Sequence, residues 1–240
     1  VNRFRITLFL ILLAAVSLAG CGQRGKGEAQ VWVTRDRGAT VLDRGTVPAG
    51  LTALQGLDRI AGIETGYGGA FVNEIDGVAS SRTRQRDWFF FVNGYEADRG
   101  AASYRLRAAD VEWWDYRSWR GSERVPVVVG AFPEPFLHGY DSKRRTAAVR
   151  FEPGLRSEAY ALAKVVHARS VAAIGKPVAS SANLLVVVAG RPGIVAHLRG
   201  GERAGDPVRF VVTGRAFARS LARDPGIVRH RYQAAEWSSS

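Results

Sequence analysis

Among 240 residues the chain has one cysteine, no methionine, four lysines and four histidines. A single thiol excludes an internal disulfide, so the folded part must hold by packing alone. The histidines, His138, His167, His197 and His230, are scattered without metal-helix spacing. No Gly-x-Ser-x-Gly elbow or Ser-x-x-Lys pair is present, which removes familiar nucleophile signatures. Asp76, Asp87, Asp98, Asp110 and Asp115 supply carboxylates, but no motif pairs any two, and Asp76 and Asp98 sit within two residues of a glycine as turn formers do. The loop Gly66-Tyr67-Gly68-Gly69 lacks the later glycine of a dinucleotide motif and the lysine of a P-loop, and reads as a turn. Beyond residue 20 no stretch reaches the ~18 apolar residues of a membrane span. These absences predict a protein that is not an enzyme, with no catalytic residue and no metal site. The missing methionine and the preference for arginine over lysine fit a GC-rich genome and carry no functional signal.

What is present begins with the leader. Arg3 and Arg5 precede an apolar run from Ile6 to Leu18, broken only by Thr7 and Ser17, and Leu18-Ala19-Gly20-Cys21 closes it. This is the charged, apolar, small order of a secretory signal, and its core of roughly 13 residues is short of the ~20 of a spanning helix. The pattern resembles a bacterial lipobox. That resemblance implies a signal peptide over residues 1–20 and a lipid on Cys21, the only covalent group expected. The protein would then be anchored on the extracytoplasmic side of the cell membrane, where nucleic acid is not an expected partner.

The net charge of +12 is unevenly spread. Residues 21–137 hold 15 basic and 15 acidic side chains, whereas residues 138–240 hold 17 basic and 7 acidic. A positive field of that kind attracts anionic surfaces within about a Debye length. Outside a cell membrane those are anionic lipid or wall polymer, and an arginine-rich solvated surface without a partner is the alternative.

Residues 21–30 are small, polar and charged, and read as a flexible tether. A first domain is expected over residues 31–137. Strands at Val31–Val33 and Thr40–Leu42 precede a helix over Thr52–Ala61, whose apolar residues share one face. Ala70–Ile75 reads as a strand ending in an Asp76-Gly77 turn. Trp88–Val92 followed by Asn93-Gly94 is a strong hairpin signal, since the tight turn needs positive φ at both central residues. Val111–Tyr116 is the last strand of this domain. The order predicts an α+β fold, a β-grasp-like mixed sheet with one helix. A smaller, basic α/β domain over residues 138–240 follows. Its strands are expected at Ala147–Phe151, Asn183–Ala189, Val208–Val212 and Ile227–Tyr232. Its helices are expected at Ser157–Ser170, with Ser157 as cap, at Ile194–Leu198 and at Arg215–Arg223.

Twelve of the 24 aromatic residues fall between Tyr67 and Trp119. In a strand, Trp88, Phe90 and Val92 share one face, while Phe89 and Phe91 share the other. Both faces must be covered, by core, by a second domain, or by a ligand or partner.

Trp88-Phe89-Phe90-Phe91-Val92-Asn93-Gly94, the segment Gly100 to Leu106, and Asp110-Val111-Glu112-Trp113 resemble the C-terminal domain of transcobalamin and intrinsic factor. They are still more similar to its bacterial relative, the DUF4430 family. Gly69 to Gly77 fits the strand and turn that precede these segments, and the likeness spans roughly residues 40–116. It implies one wall of a cobalamin site, with Trp88, Phe90, Asn93, Gly94 and Tyr95 facing the ligand. The carriers' large helical domain has no counterpart in this sequence. The expected function is capture of a small molecule, a corrinoid by this likeness, for an uptake transporter. The alternative is a non-enzymatic envelope protein that contacts wall polymer or a membrane partner. An aromatic-lined pocket at the domain junction argues for capture, and a filled junction argues for the alternative.

Overall fold

In the computed structural model, which describes residues 26–69, 71–121 and 124–233, two five-stranded sheets and a three-stranded one are joined into one α+β body. Strands β1 (Glu28–Arg35) and β2 (Thr40–Pro48) form a hairpin. Helix α1 (Ala53–Leu57) opens with a capping box, in which the Thr52 hydroxyl accepts from Gln55 N and the Gln55 side chain accepts from Thr52 N. It is shorter than the span Thr52–Ala61. Three-residue bonds, Arg59 N to Gly56 O and Ile60 N to Leu57 O, tighten the chain out of the α-helix at Asp58. Strands β3 (Ile63–Gly66), β4 (Phe71–Ile75) and β5 (Val78–Ala79) make the small antiparallel sheet.

The aromatic run lies in β6 (Arg86–Val92), which turns at Asn93 (φ 49°) and Gly94 (φ 82°) into β7 (Tyr95–Glu96). Strand β8 (Val111–Ser118) runs parallel to β1 and antiparallel to β6, giving the order β2-β1-β8-β6-β7. A hairpin on each side of a central parallel pair, with α1 between them in sequence, is the expected β-grasp-like arrangement. Residues 28–30, assigned to the tether by composition, belong instead to β1. The amide of Gln30 donates to Asp110 O, and the Glu28 carbonyl accepts from Ala109 N. Cys21, the residue expected to carry a lipid, and the expected signal peptide over residues 1–20 lie outside the described residues.

Helix α2 (Glu134–Leu137) leads to the second sheet, built from β9 (Ala147–Phe151), β10 (Ser170–Ala173), β11 (Asn183–Val188), β12 (Gly193–Leu198) and β13 (Val208–Thr213). Its order is β10-β9-β11-β13-β12, and only β12 runs antiparallel to its neighbour. Helices α3 (Arg156–Val165) and α4 (Arg215–Arg223) add Leu162, Phe217 and Leu221 to a core shared with Val149, Leu185, Phe210 and Val212.

Four local expectations change. Ile194–Leu198 is strand rather than helix, because Ile194 and Ala196 alternate into the core opposite Val212 and Phe210. Ser157 does not cap α3; Leu155 holds that position, and the Ser157 hydroxyl donates to Glu158. That helix stops at Val165, which frees Ser170–Ala173 to pair with β9. Residues Pro225–Val228 form a short 3-10 turn instead of opening a strand.

The division at residue 137 is also less clean than composition suggests. One face of the first sheet, with Trp32, Phe91, Val111 and Trp113, is covered by Val128, Ala131 and Tyr232. Val129 N donates to Tyr232 O, and the Tyr232 ring packs on Phe91 and Trp113, so the end of the described chain returns to the first sheet.

Candidate functional site

The residues expected to face a ligand are inside the protein. Trp88 is 5% exposed, its indole donates to Val78 O at 2.8 Å, and its ring lies 5.2 Å from that of Tyr116. Phe90 is half-buried and stacks on Trp114 at 4.8 Å. The Asn93 amide donates to Asp110 (2.7 Å) and to Gly139 O (2.8 Å), and its oxygen accepts from Val111 N. A side chain at Gly94 would meet Val128, Ala131 and Pro135 within 3.1–3.3 Å. Tyr95 is buried against Tyr140, and its hydroxyl donates to Asp206 O. Of the ways in which the two aromatic faces of β6 could be covered, packing against the protein's own chain accounts for both. Val125, Val128 and Ala131 with Tyr232, distant in sequence, cover one face, and the small sheet packs toward the other.

That small sheet carries the more open site. Trp88 and Tyr116 hold it in place, since the Tyr116 hydroxyl donates to Ala79 O just as the Trp88 indole donates to Val78 O. Between β3 and β4 the chain passes through three consecutive left-handed residues, Tyr67 (φ 51°), Gly68 (φ 71°) and Gly69 (φ 88°). Glycine takes that conformation without strain, and the turn leaves the Tyr67 side chain 82% exposed. Phe71, 41% exposed, meets it edge to face at 6.4 Å. These rings, with Trp119, border a groove of about 670 Å³ whose polar lining includes Asn73, Ser80, Glu64, Glu74, Asp87, Arg82 and Arg86.

The charges in this groove are not all compensated. Asp87 accepts from the Ser80 hydroxyl and from Trp88 N, while Arg86 pairs with Asp36. Glu64 and Glu74 stand directly opposite each other across β3 and β4, an arrangement that is destabilising between like charges. Neither forms an ion pair with another described residue. The register slips after Glu64, leaving Asn73 as the extra residue on β4, with its amide set against Gly66. The sequence signal for this site was an aromatic residue inside a glycine loop, and its reading as a plain turn left Tyr67, Phe71, Glu64, Glu74 and Trp119 unselected.

The junction between the sheets is mostly filled, by Tyr95 and Tyr104 against Tyr140 and by Phe132 and Phe136 against Phe210. A recess of about 450 Å³ remains there, lined by Tyr232, Arg37, Val125 and His197 among others. Among the described residues, no group of three or more His, Cys, Asp or Glu side chains is placed to hold a metal ion. No helix among them is long and apolar enough to cross a membrane.

Part of this α+β fold, with the groove beside the three-stranded sheet, is similar to a recognised domain. Residues 50–118 match the family model described as a domain of unknown function, DUF4430, as the motifs had indicated. The match takes in α1, β3–β6, β7 and β8, and so the groove apart from Trp119. No curated protein matches the chain. A crystal structure from Ruminococcus gnavus ATCC 29149, described as that of a candidate metal-binding protein, is 13% identical and covers 39% of this chain and 98% of its own. Its TM-score of 0.30 is too low to carry an argument.

Proposed function

We propose that this is a lipid-anchored extracytoplasmic protein that captures a small molecule in the groove beside β3–β5 and delivers it to an uptake transporter. The observation that carries this reading is the Tyr67–Phe71 pair, left in water above a recess lined by convergent polar groups. Exposed rings over a concave, partly polar surface are the ordinary features of a ligand site, and the volume lies within the usual range. The facing carboxylates of Glu64 and Glu74 accept hydrogen bonds, so the ligand carries donors, amide, hydroxyl or amine, around an apolar face. A corrinoid is a flat ring system fringed with amides. It belongs to that class and is the first ligand to test. The protein acts by binding, without covalent chemistry, and the lipid on Cys21 keeps it at the membrane.

A second reading, an envelope protein contacting wall polymer or a membrane partner, is favoured by the filled junction and the basic second half. Equilibrium dialysis of the full chain in detergent against aquocobalamin separates the two. On the capture reading the wild type retains the ligand, and Tyr67→Ala weakens it by about tenfold, or ~1.4 kcal/mol. If neither aquocobalamin nor any other amide- or hydroxyl-rich small molecule is retained, the envelope reading replaces this one.

A further inference from the structure

The excess positive charge of the second half has a focus. The loop entering β9 and the turn between α3 and β10 lie side by side, joined by the hydrogen bond from Arg169 N to Ala147 O at 2.8 Å. Strands β9 and β10 are parallel neighbours in register from Ala148 and Ser170, which fixes Arg169 beside Thr146 and Ala147. His167, in the left-handed region at φ 49°, makes the turn that brings the chain back. Between these segments is a cleft of about 290 Å³, lined by Arg144, Arg145, Thr146, His167 and Arg169 against the ring of Phe136. Among the described residues no carboxylate lines it.

The three guanidinium groups differ in their attachments. Arg145 is fixed from behind, its Nε donating to Gly205 O at 2.7 Å and its Nη1 to Ser181 O at 3.3 Å, with Asp206 3.9 Å away. Neither Arg144 nor Arg169 has a side-chain hydrogen bond or ion pair with any other described residue, and both are exposed. Like charges gathered at a cleft repel one another unless an anion lies between them. Planar guanidinium forks match the oxygens of a phosphate group two at a time. Thr146 adds a hydroxyl donor to the same lining.

We propose that this cleft is a binding site for a phosphate oxyanion, held by Arg144, Arg145 and Arg169. It is separate from the groove beside β3–β5 and does not depend on the capture reading. The phosphate comes either from the medium or from a phospholipid headgroup at the membrane surface.

The test is calorimetric titration of the full chain in detergent at low salt, with inorganic phosphate in one arm and glycerophosphoglycerol, the soluble headgroup of an anionic phospholipid, in the other. We expect at least one probe to bind. The double variant Arg144→Gln/Arg169→Gln should weaken it tenfold or more, while Arg209→Gln/Arg223→Gln, which removes the same charge elsewhere, should change it less than twofold. Tighter binding of inorganic phosphate indicates free phosphate as the source, and tighter binding of the diester indicates lipid. A variant-free check is protection of Arg144 and Arg169 from phenylglyoxal by the bound probe, mapped by mass spectrometry. Absence of binding by both probes, equal weakening in the two double variants, or modification unaffected by the probe overturns the proposal.

Discussion

The Tyr232 hydroxyl donates to the buried carboxylate of Asp115 at 3.0 Å, across 117 residues of sequence. The same carboxylate accepts from the Thr34 hydroxyl at 2.5 Å and from the amides of Arg37 and Gly38. Asp115 thus ties together the β1–β2 turn, strand β8 and the end of the described chain. Its charge is buried but surrounded by four donors, which is the condition under which a buried ion is tolerated.

Replacing Tyr232 by Phe removes one of those donors while keeping the ring that packs on Phe91 and Trp113. Three donors remain, so the loss should fall near the low end for a hydrogen bond to a charged group, about 1.5 kcal/mol. Urea unfolding of Tyr232→Phe should show a lower midpoint with an unchanged slope. An unchanged midpoint would mean that the Tyr232 segment is not held through Asp115.

Glu112 is a second buried acid with the opposite character. One oxygen accepts from the Trp114 indole at 2.5 Å, and the other, beneath α1, has no hydrogen-bond partner among the described residues. Burial, aided by neighbouring Asp110, raises its pKa well above the ordinary value although the Trp114 bond opposes the shift. The folded protein therefore holds this proton at pH values where the unfolded chain, with a glutamate pKa of ~4.3, has released it. Its contribution to stability is greatest in acid and falls as pH rises from about that value toward the raised one. Glu112→Gln should remove this fall. The stability difference between variant and wild type should grow in the variant's favour from pH 4 to pH 7, and a pH-independent difference would show that Glu112 is charged in the fold.

His230 acts in the other direction. It is 9% exposed, its ring meets that of Trp32 edge-on at 4.8 Å, and burial with neighbouring Arg229 and Arg44 lowers its pKa to about 4. Folding disfavours its protonation, so its stabilisation is complete above the unfolded value of ~6.5 and is lost as pH falls toward the folded one. Asn tolerates the φ of 62° at this position and does not titrate. In His230→Asn, thermal melts from pH 7 down to 4 should decline less than in the wild type. A parallel decline would remove His230 from the acid sensitivity.

Local signals were legible in the sequence, and coverage was not. Asn93-Gly94 and Asp76-Gly77 specify their turns through the φ values that they alone must adopt, and both turns formed. Helix α4 occupies Arg215–Arg223 as its pattern indicated. The β12 segment is short and follows Pro192, so its local pattern does not separate helix from strand, and its pairing with β13 decides the matter. Alternation separates Trp88, Phe90 and Val92 from Phe89 and Phe91 as the structure does, but Val125, Val128, Ala131 and Tyr232, which cover the second face, are distant in sequence and no local rule identifies them. The groove has no local signature either, because it forms only where the small sheet docks on Trp88 and Tyr116.

The anchor is tested directly by metabolic labelling with a radioactive fatty acid. Wild-type chain should incorporate label and Cys21→Ala should not, with impaired leader processing in the variant. An unlabelled wild type would remove the lipid from this reading and leave the groove as a property of a protein held elsewhere.

Trp88 and Tyr67 separate fold from function in one comparison. Trp88 is enclosed, and its indole bond to Val78 O helps hold β5 against the main sheet, so Trp88→Ala should cost ~3–5 kcal/mol through the cavity that it leaves. Tyr67 touches little besides Phe71 and stands in water, so Tyr67→Ala should change stability by no more than about 0.5 kcal/mol. Ligand retention should follow the reverse logic. Tyr67→Ala should fold like the wild type and lose affinity, because the ring acts only on what enters the groove. Trp88→Ala, assayed well below its lowered melting temperature, should lose affinity only as far as the small sheet shifts. Melting curves and equilibrium dialysis on the two variants supply both axes. A Tyr67→Ala protein that binds as tightly as the wild type would show that the exposed ring pair is not the ligand contact, and the groove would lose its claim to be the site.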